Sequence, residues 1–200
     1  MPCGPVNVRT RRSERRWAPP LLGAIVLSLV AMLAGGATAH SDDDPKVAAV
    51  KVAFVYNFAK FATWPARRFP TPSDPVVLCV RRNDLDWHAL RPLTDKQIGD
   101  HPIRVKVLDT DVPVDACHIF FSTEFMSAAS LRDALATARQ YAVLMVSDMP
   151  GFAAAGGHIG LVQDQNRLRF QVNLDSVTHT GVKLSSKLLQ LAEIVGPARQ

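Results

Sequence analysis

Three cysteines, six histidines and a scatter of serines are the side chains of this 200-residue chain that could bridge, hold a metal or attack a substrate. The histidines lie at 40, 88, 101, 118, 158 and 179. None stands in HxH or HExxH, the spacings that bring two imidazoles to one metal. His118 follows Cys117 directly, but neighbours on a strand point to opposite faces, so adjacency makes no ligand pair. No serine occupies GxSxG and no S-x-x-K occurs. Gly151, Gly156 and Gly157 lack the offsets of GxGxxG, and no helix opens after them, so they read as tight-turn residues rather than a phosphate cradle. Asp148 closes an apolar run where open α/β sheets often bind ligands, yet no second carboxylate accompanies it. The pattern points away from an enzyme, a metal site or a cofactor. A hidden active site would need a His-centred dyad or convergent carboxylates that only folding could assemble.

The first 39 residues read as an address. Arg9, Arg11, Arg12, Arg15 and Arg16 precede an almost unbroken aliphatic run from Leu21 to Leu33, and Ala37-Thr38-Ala39 follows. These are the charged, apolar and small-residue parts of a secretory signal peptide, with cleavage after Ala39. The alternative is an uncleaved anchor, since Leu21–Ala39 could just span a bilayer. Cleavage leaves a chain with no membrane anchor in an oxidising compartment, the bacterial periplasm. The net charge of +5 is mostly the leader's; from His40 onward 18 basic and 17 acidic residues nearly cancel. That balance leaves no electrostatic footprint for nucleic acid. Two cysteines remain after the leader, and a pair in an exported chain reads first as one disulfide, Cys79–Cys117, against the alternative of two buried thiols.

The elements that must position these residues follow from periodicity. Residues 40–45 form a polar, flexible lead-in. A helix is expected from Lys46 to Thr63, with Val47, Val50, Phe54, Phe58 and Phe61 as its apolar stripe and Pro65 as its stop. Asp84 could cap a short helix through Leu90. Val76–Val80, Cys117–Phe121 and Val143–Ser147 are short apolar runs of the kind buried on both faces of a sheet. Ile103–Val107 alternates like a half-exposed strand, and Ser127–Arg139 is helical. His158–Val162 and Arg167–Asn173 flank a turn as a hairpin. Helix is expected from Asp175 and again from Ser185 to Val195, the latter with Leu184, Leu188, Leu189, Leu191 and Ile194 on its apolar side. Strands alternating with helices give an α/β sandwich with a mixed sheet and flanking helices, a single domain over 46–195 with a tail at 196–200. Near the end of the first helix, Tyr56, Asn57, Lys60 and Trp64 gather. Tyr56 and Lys60 share a face distinct from that of Phe54 and Phe61, either a solvated surface or a contact surface anchored by aromatic residues.

These segments carry a resemblance. Lys51-Val-Ala-Phe-Val-Tyr-Asn-Phe-Ala-Lys-Phe-Ala-Thr-Trp-Pro65 resembles the opening helix of the YfiR family of periplasmic proteins. Cys117-His-Ile-Phe-Phe-Ser122 resembles the family's Cys-His strand, and Val143–Phe152 with Gly156-Gly157 its strand and glycine loop. Arg167–Leu174 and Leu184–Leu189 resemble its closing segments. The matches run in order across about residues 46–195. The resemblance implies a compact Rossmann-like α/β domain that is often dimeric, and a non-enzymatic role: repression of an inner-membrane diguanylate cyclase of the YfiN type through its periplasmic sensor region, lowering cyclic-di-GMP and biofilm formation. Cys79 and Cys117 match one bridge of the family, and no cysteine remains for a second. A second reading is a periplasmic small-solute sensor, with the loop from Asp148 through Phe152 to Gly157 as a pocket wall and Arg169 as a polar anchor.

Overall fold

A computed structural model describes residues 45–82, 84–85, 87–109, 113–125, 127–165 and 167–196, besides Met1. Residues 2–39 of the expected leader (1–39), residues 40–44 of the lead-in and residues 197–200 of the tail lie outside the described residues. The first helix, α1 (Pro45–Lys60), opens on a proline, whose fixed φ suits the first helical position. Its buried side is Lys51, Val52, Val55, Phe58 and Ala59, rotated from the expected stripe so that Val50 is left exposed. The reason is that Lys51 is held inside by a carboxylate, which the apolar pattern does not show. The helix ends before Thr63 because β1 (Ala62–Thr63) pairs antiparallel with β9 (Lys183–Leu184).

The chain then builds β2 (Val76–Arg81), α2 (Trp87–Leu90), β3 (Gln97–Ile98), β4 (His101–Leu108), β5 (Ile119–Ser122), α3 (Ala128–Tyr141) and β6 (Leu144–Ser147). It continues through β7 (Ile159–Asp164), β8 (Arg167–Asn173), α4 (Leu174–Thr178), α5 (Ser186–Leu189) and β10 (Glu193–Val195). Among the described residues eight strands form the main sheet, in the order β10-β8-β7-β6-β5-β2-β4-β3. Its centre is parallel, while β7–β8 and β3–β4 are antiparallel, so the sheet is mixed.

Alternation along the central strands divides the core between two faces. Leu78, Val80, Ile119, Phe121, Leu144 and Val146 face α1, where Phe58 meets Phe170 with ring centroids 5.0 Å apart. Cys79, Phe120 and Met145 face the other way, against Leu131 and Ala138 of α3. Helices on both faces of a mixed sheet make the expected α/β sandwich. Ser127 caps α3: its hydroxyl accepts the Ser130 N–H, and the Ser130 hydroxyl accepts the Ser127 N–H in return.

Asp84 does not cap α2; its side chain turns to Thr123 instead. The expected closing helix over Ser185–Val195 is also corrected. Only Ser186–Leu189 is helical, capped by Ser185, and Glu193–Val195 joins the sheet beside β8. Leu191 is 77% exposed and Ile194 52%, so those residues have no helical core face to bury. Strand pairing satisfies the backbone there, and β-branched Ile194 and Val195 suit it.

Candidate functional site

The end of α1 leads into a stack of rings. The Trp64 indole N–H donates to the His118 carbonyl at 3.0 Å, and its ring meets the His118 imidazole edge-on. Phe69 is sandwiched between imidazoles, with centroids 4.7 Å from His118 and 4.0 Å from His101. The Arg68 guanidinium closes the stack from below, donating to the carbonyls of Asp115 (3.0 Å) and Cys117 (2.6 Å). His118 Nδ1 accepts the Val77 N–H at 3.1 Å, and its Nε2 donates to the Arg68 carbonyl at 3.3 Å. This is a neutral imidazole. Burial, and after it the Arg68 charge, lowers its pKa to about 4. Beside the stack lies a cleft of about 220 Å³, walled by Thr63, Trp64, Phe69, Ile98 and His101.

The aromatic and polar residues singled out from sequence separate into two groups. Trp64 is buried and serves as an anchor for β5 rather than as a surface residue. Tyr56 is half-buried, its hydroxyl 3.5 Å from the Gln97 carbonyl, while Asn57 and Lys60 are exposed on the outer side of α1. Arg169 projects from β8 and pairs with Asp164 at 2.8 Å near the hairpin end, so it engages a carboxylate other than Asp148.

Asp148 has a partner that the sequence reading missed. Lys51 Nζ lies 2.7 Å from Asp148 Oδ2, with 7% and 14% of the two side chains exposed. The signal was present in Lys51's spacing to Val55 and Phe58, which places it on the buried stripe of α1. The loop after Asp148 is fastened at several points. Phe152 is buried, its ring stacked on Phe125 at 5.8 Å. A Cβ on Gly157 would lie 2.3 Å from that ring, so only glycine lets the Phe152 side chain pass. Asn173 ties the loop to β8, its side-chain amide donating to the Ala153 carbonyl at 2.9 Å. His158 Nδ1 accepts the Met145 N–H at 3.0 Å, and burial, then Arg139, lowers its pKa to about 3. Phe152 and Asp148 are therefore parts of a fastened loop.

Cys79 and Cys117 form the expected disulfide, closing a sequence separation of 38 residues, and neither is exposed. Cys79→Ala or Cys117→Ala is expected to lower unfolding free energy by about 2–4 kcal/mol, and by similar amounts, because each opens the same loop. Urea unfolding of both variants measures this; clearly unequal losses would show that packing rather than the cross-link carries the effect.

Among the described residues no group of three or more His, Cys, Asp or Glu side chains converges on a metal position. No described helix is long and apolar enough to cross a membrane. A search of curated proteins finds no match. The model of the YfiR/HmsC-like family matches residues 48–193, a span that takes in most of α1, the ring stack, the disulfide, the glycine loop and the first residue of β10. With that match covering well over half of its length, the chain belongs to the YfiR/HmsC-like family.

Proposed function

We propose that this protein is a periplasmic regulatory binding protein that represses an inner-membrane diguanylate cyclase by docking on its periplasmic sensor region. It does so without catalysis, as a homodimer, and lowers cyclic-di-GMP and biofilm formation. Membership of the YfiR/HmsC-like family over residues 48–193 is the observation that carries the reading, since that family supports a periplasmic regulator of cyclic-di-GMP signalling. The polar groups most suggestive of chemistry in the sequence, Asp148 and His118, are committed to Lys51 and to backbone. Docking requires only an apolar and polar surface of about 1,200–2,000 Å² in total. The outer side of α1 offers one part of it, with Ala49, Val50, Ala53, Asn57 and Lys60 exposed. Binding one conformation of the cyclase selects that conformation, and loss of the regulator releases it.

The small-solute reading has the cleft beside Trp64 in its favour. Its volume of about 220 Å³ is below the 300–1,000 Å³ usual for ligand pockets, and a second cleft of about 340 Å³ lined by Leu174, Val177 and Val182 only just enters that range, so docking stands first.

Deletion of the gene is expected to raise cyclic-di-GMP and biofilm, and complementation with Asn57→Arg/Lys60→Glu to restore repression poorly while the protein remains folded and exported. Unchanged cyclic-di-GMP after deletion would remove the reading. Full repression by the double variant would move the docking surface off α1.

A further inference from the structure

On one side the main sheet ends with β3, which is too short to cover its neighbour. β4 runs from His101 to Leu108, whereas β3 pairs only with His101 and Pro102. The Ile103 N–H is still met from that side, by the Lys96 carbonyl at 3.0 Å. Past it the edge is open. In a strand the N–H and C=O of one residue point to the same neighbouring strand, and those of the next residue to the other. Ile103 points outward, and Leu108 points inward, its carbonyl accepting the Arg82 N–H at 2.8 Å on the β2 side. Val105 and Val107 therefore turn their N–H and C=O outward, while Arg104 and Lys106 turn theirs to β2. Among the described residues no hydrogen bond reaches the outward groups of Val105 and Val107.

The side chains along this edge are of two kinds. Val105 packs at the margin of the core shared with α1, and Val107 beside it is 40% exposed. Arg104 and Lys106 stand on the other face, both exposed, and among the described residues neither meets a carboxylate. The nearest acid at the strand end, Asp109, is held by Arg82 at 2.7 Å. An open edge is a template for another strand, and cations on it decide which strand is admitted. A second copy of this edge is refused. Antiparallel self-pairing with Val105 opposite Val105 sets Arg104 against Lys106, and with Val105 opposite Val107 it sets Lys106 against Lys106. Like charges directly opposite are destabilising, and opposite charges there are favourable.

We propose that the open edge of β4, from Arg104 to Leu108, takes an added strand from a partner protein, an extended segment in which acidic residues alternate with β-branched apolar ones. The partner backbone would bond the outward groups of Val105 and Val107. Its acids would lie opposite Arg104 and Lys106, and its apolar residues would extend the row of Val105 and Val107, an alternation that the period of a strand requires in either direction of pairing. The site does not depend on the partner being a cyclase, and it stands or falls separately from the α1 surface.

The test uses the purified protein at low ionic strength and short blocked peptides: alternating Glu and Val, alternating Lys and Val, and the same Glu and Val residues gathered into two blocks. With the alternating Glu–Val peptide at about ten times its Kd, hydrogen exchange read by NMR is expected to slow about tenfold at Val105 and Val107, and much less at Arg104 and Lys106, whose N–H groups already face β2. The other two peptides are expected to bind at least about tenfold more weakly, one for its charge and one for its lack of alternation. Arg104→Glu/Lys106→Glu is expected to lose the Glu–Val peptide by about tenfold or more and to gain the Lys–Val peptide. Val107→Pro, which removes an outward N–H and no bond to β2, is expected to weaken Glu–Val binding with the charges intact, and is the decisive variant if the charge reversal does not fold. No slowing at Val105 and Val107, equal affinity for the blocked-order or Lys–Val peptide, or undiminished affinity in the decisive variant would overturn the proposal.

Discussion

Replacing Lys51 by methionine is expected to lower the unfolding free energy by about 3–5 kcal/mol, the loss typical when one member of a buried ion pair is removed. The chemistry is on one contact: Nζ and Oδ2 lie 2.7 Å apart, and both side chains are largely out of water. Methionine keeps most of the lysine stem's apolar volume, so the change isolates the charge. What remains is Asp148, a carboxylate in a site that water reaches poorly, and its desolvation is no longer compensated. The reciprocal change, Asp148→Asn, should cost a comparable amount for the mirrored reason. Replacing both, Lys51→Met with Asp148→Leu, should recover most of the loss, because a buried pair and an apolar substitute of similar size are often close in free energy. Urea unfolding of the four proteins closes the cycle. If each single variant loses less than about 1 kcal/mol, the pair behaves as a solvated surface bridge and does not pin α1 to the strand end.

Stability is expected to be level above about pH 7 and to fall steeply as the solution is acidified through pH 6.5 toward 4. Two histidines set this. In the unfolded chain each titrates near 6.5, whereas in the fold His118 titrates at about 4 and His158 at about 3. Below 6.5 the unfolded state therefore binds protons that the folded state refuses, and acid favours unfolding. Stabilisation from these groups is fully present above their unfolded pKa and is lost as pH falls toward the folded values. While both are in play the slope approaches about 2.7 kcal/mol per pH unit, twice the roughly 1.36 kcal/mol that one proton contributes. Below about pH 4 only His158 continues.

Geometry supports the direction. In both residues Nδ1 accepts a strand N–H, from Val77 and from Met145, so a proton placed there would break a bond as well as bury a charge. Asp84, raised by burial, works in the opposite sense and softens the fall at its acid end. His158→Asn keeps an acceptor near the Nδ1 position and should roughly halve the slope. Denaturant unfolding between pH 4 and 8 measures it; a profile flat from pH 7 to 4.5, or an unchanged slope in His158→Asn, would contradict the assignment.

How much of this was legible in the residues depends on the range of the interaction. The three central strands announce themselves, because burial on both faces demands continuous apolar runs such as Val143–Ser147. The β7–β8 hairpin is equally open, since its alternation and its turn are local. Two-residue pairings such as β1 with β9 have no period to read. At the C-terminus the leucine spacing suggested a helix, but spacing does not say whether a core stands opposite, and Leu191 and Ile194 have none.

The candidate site was harder for the same reason. Asp148, Trp64 and Phe152 were picked out by type and position, yet their partners, Lys51, the His118 carbonyl and the bare Cα of Gly157, are brought to them by the fold. The disulfide was the exception: with two cysteines from residue 40 onward there was one pairing to propose.

The fastening of α1 also bears on how the chain acquires its structure. The partners that fasten its polar and aromatic side chains, Asp148, Phe170 and, through β1, Leu184, come from the last third of the sequence, whereas the apolar strands it lies on, β2 and β5, come earlier. A chain appearing amino end first, from a ribosome or through a pore, presents this helix and β2 long before Asp148 exists to neutralise Lys51. An isolated helix of this length is marginal in water, and closing such distant contacts is slow. The helix can rest on β2 early, but its lysine stays uncompensated until the last third has emerged, and truncation from the carboxyl end before Asp148 should loosen it.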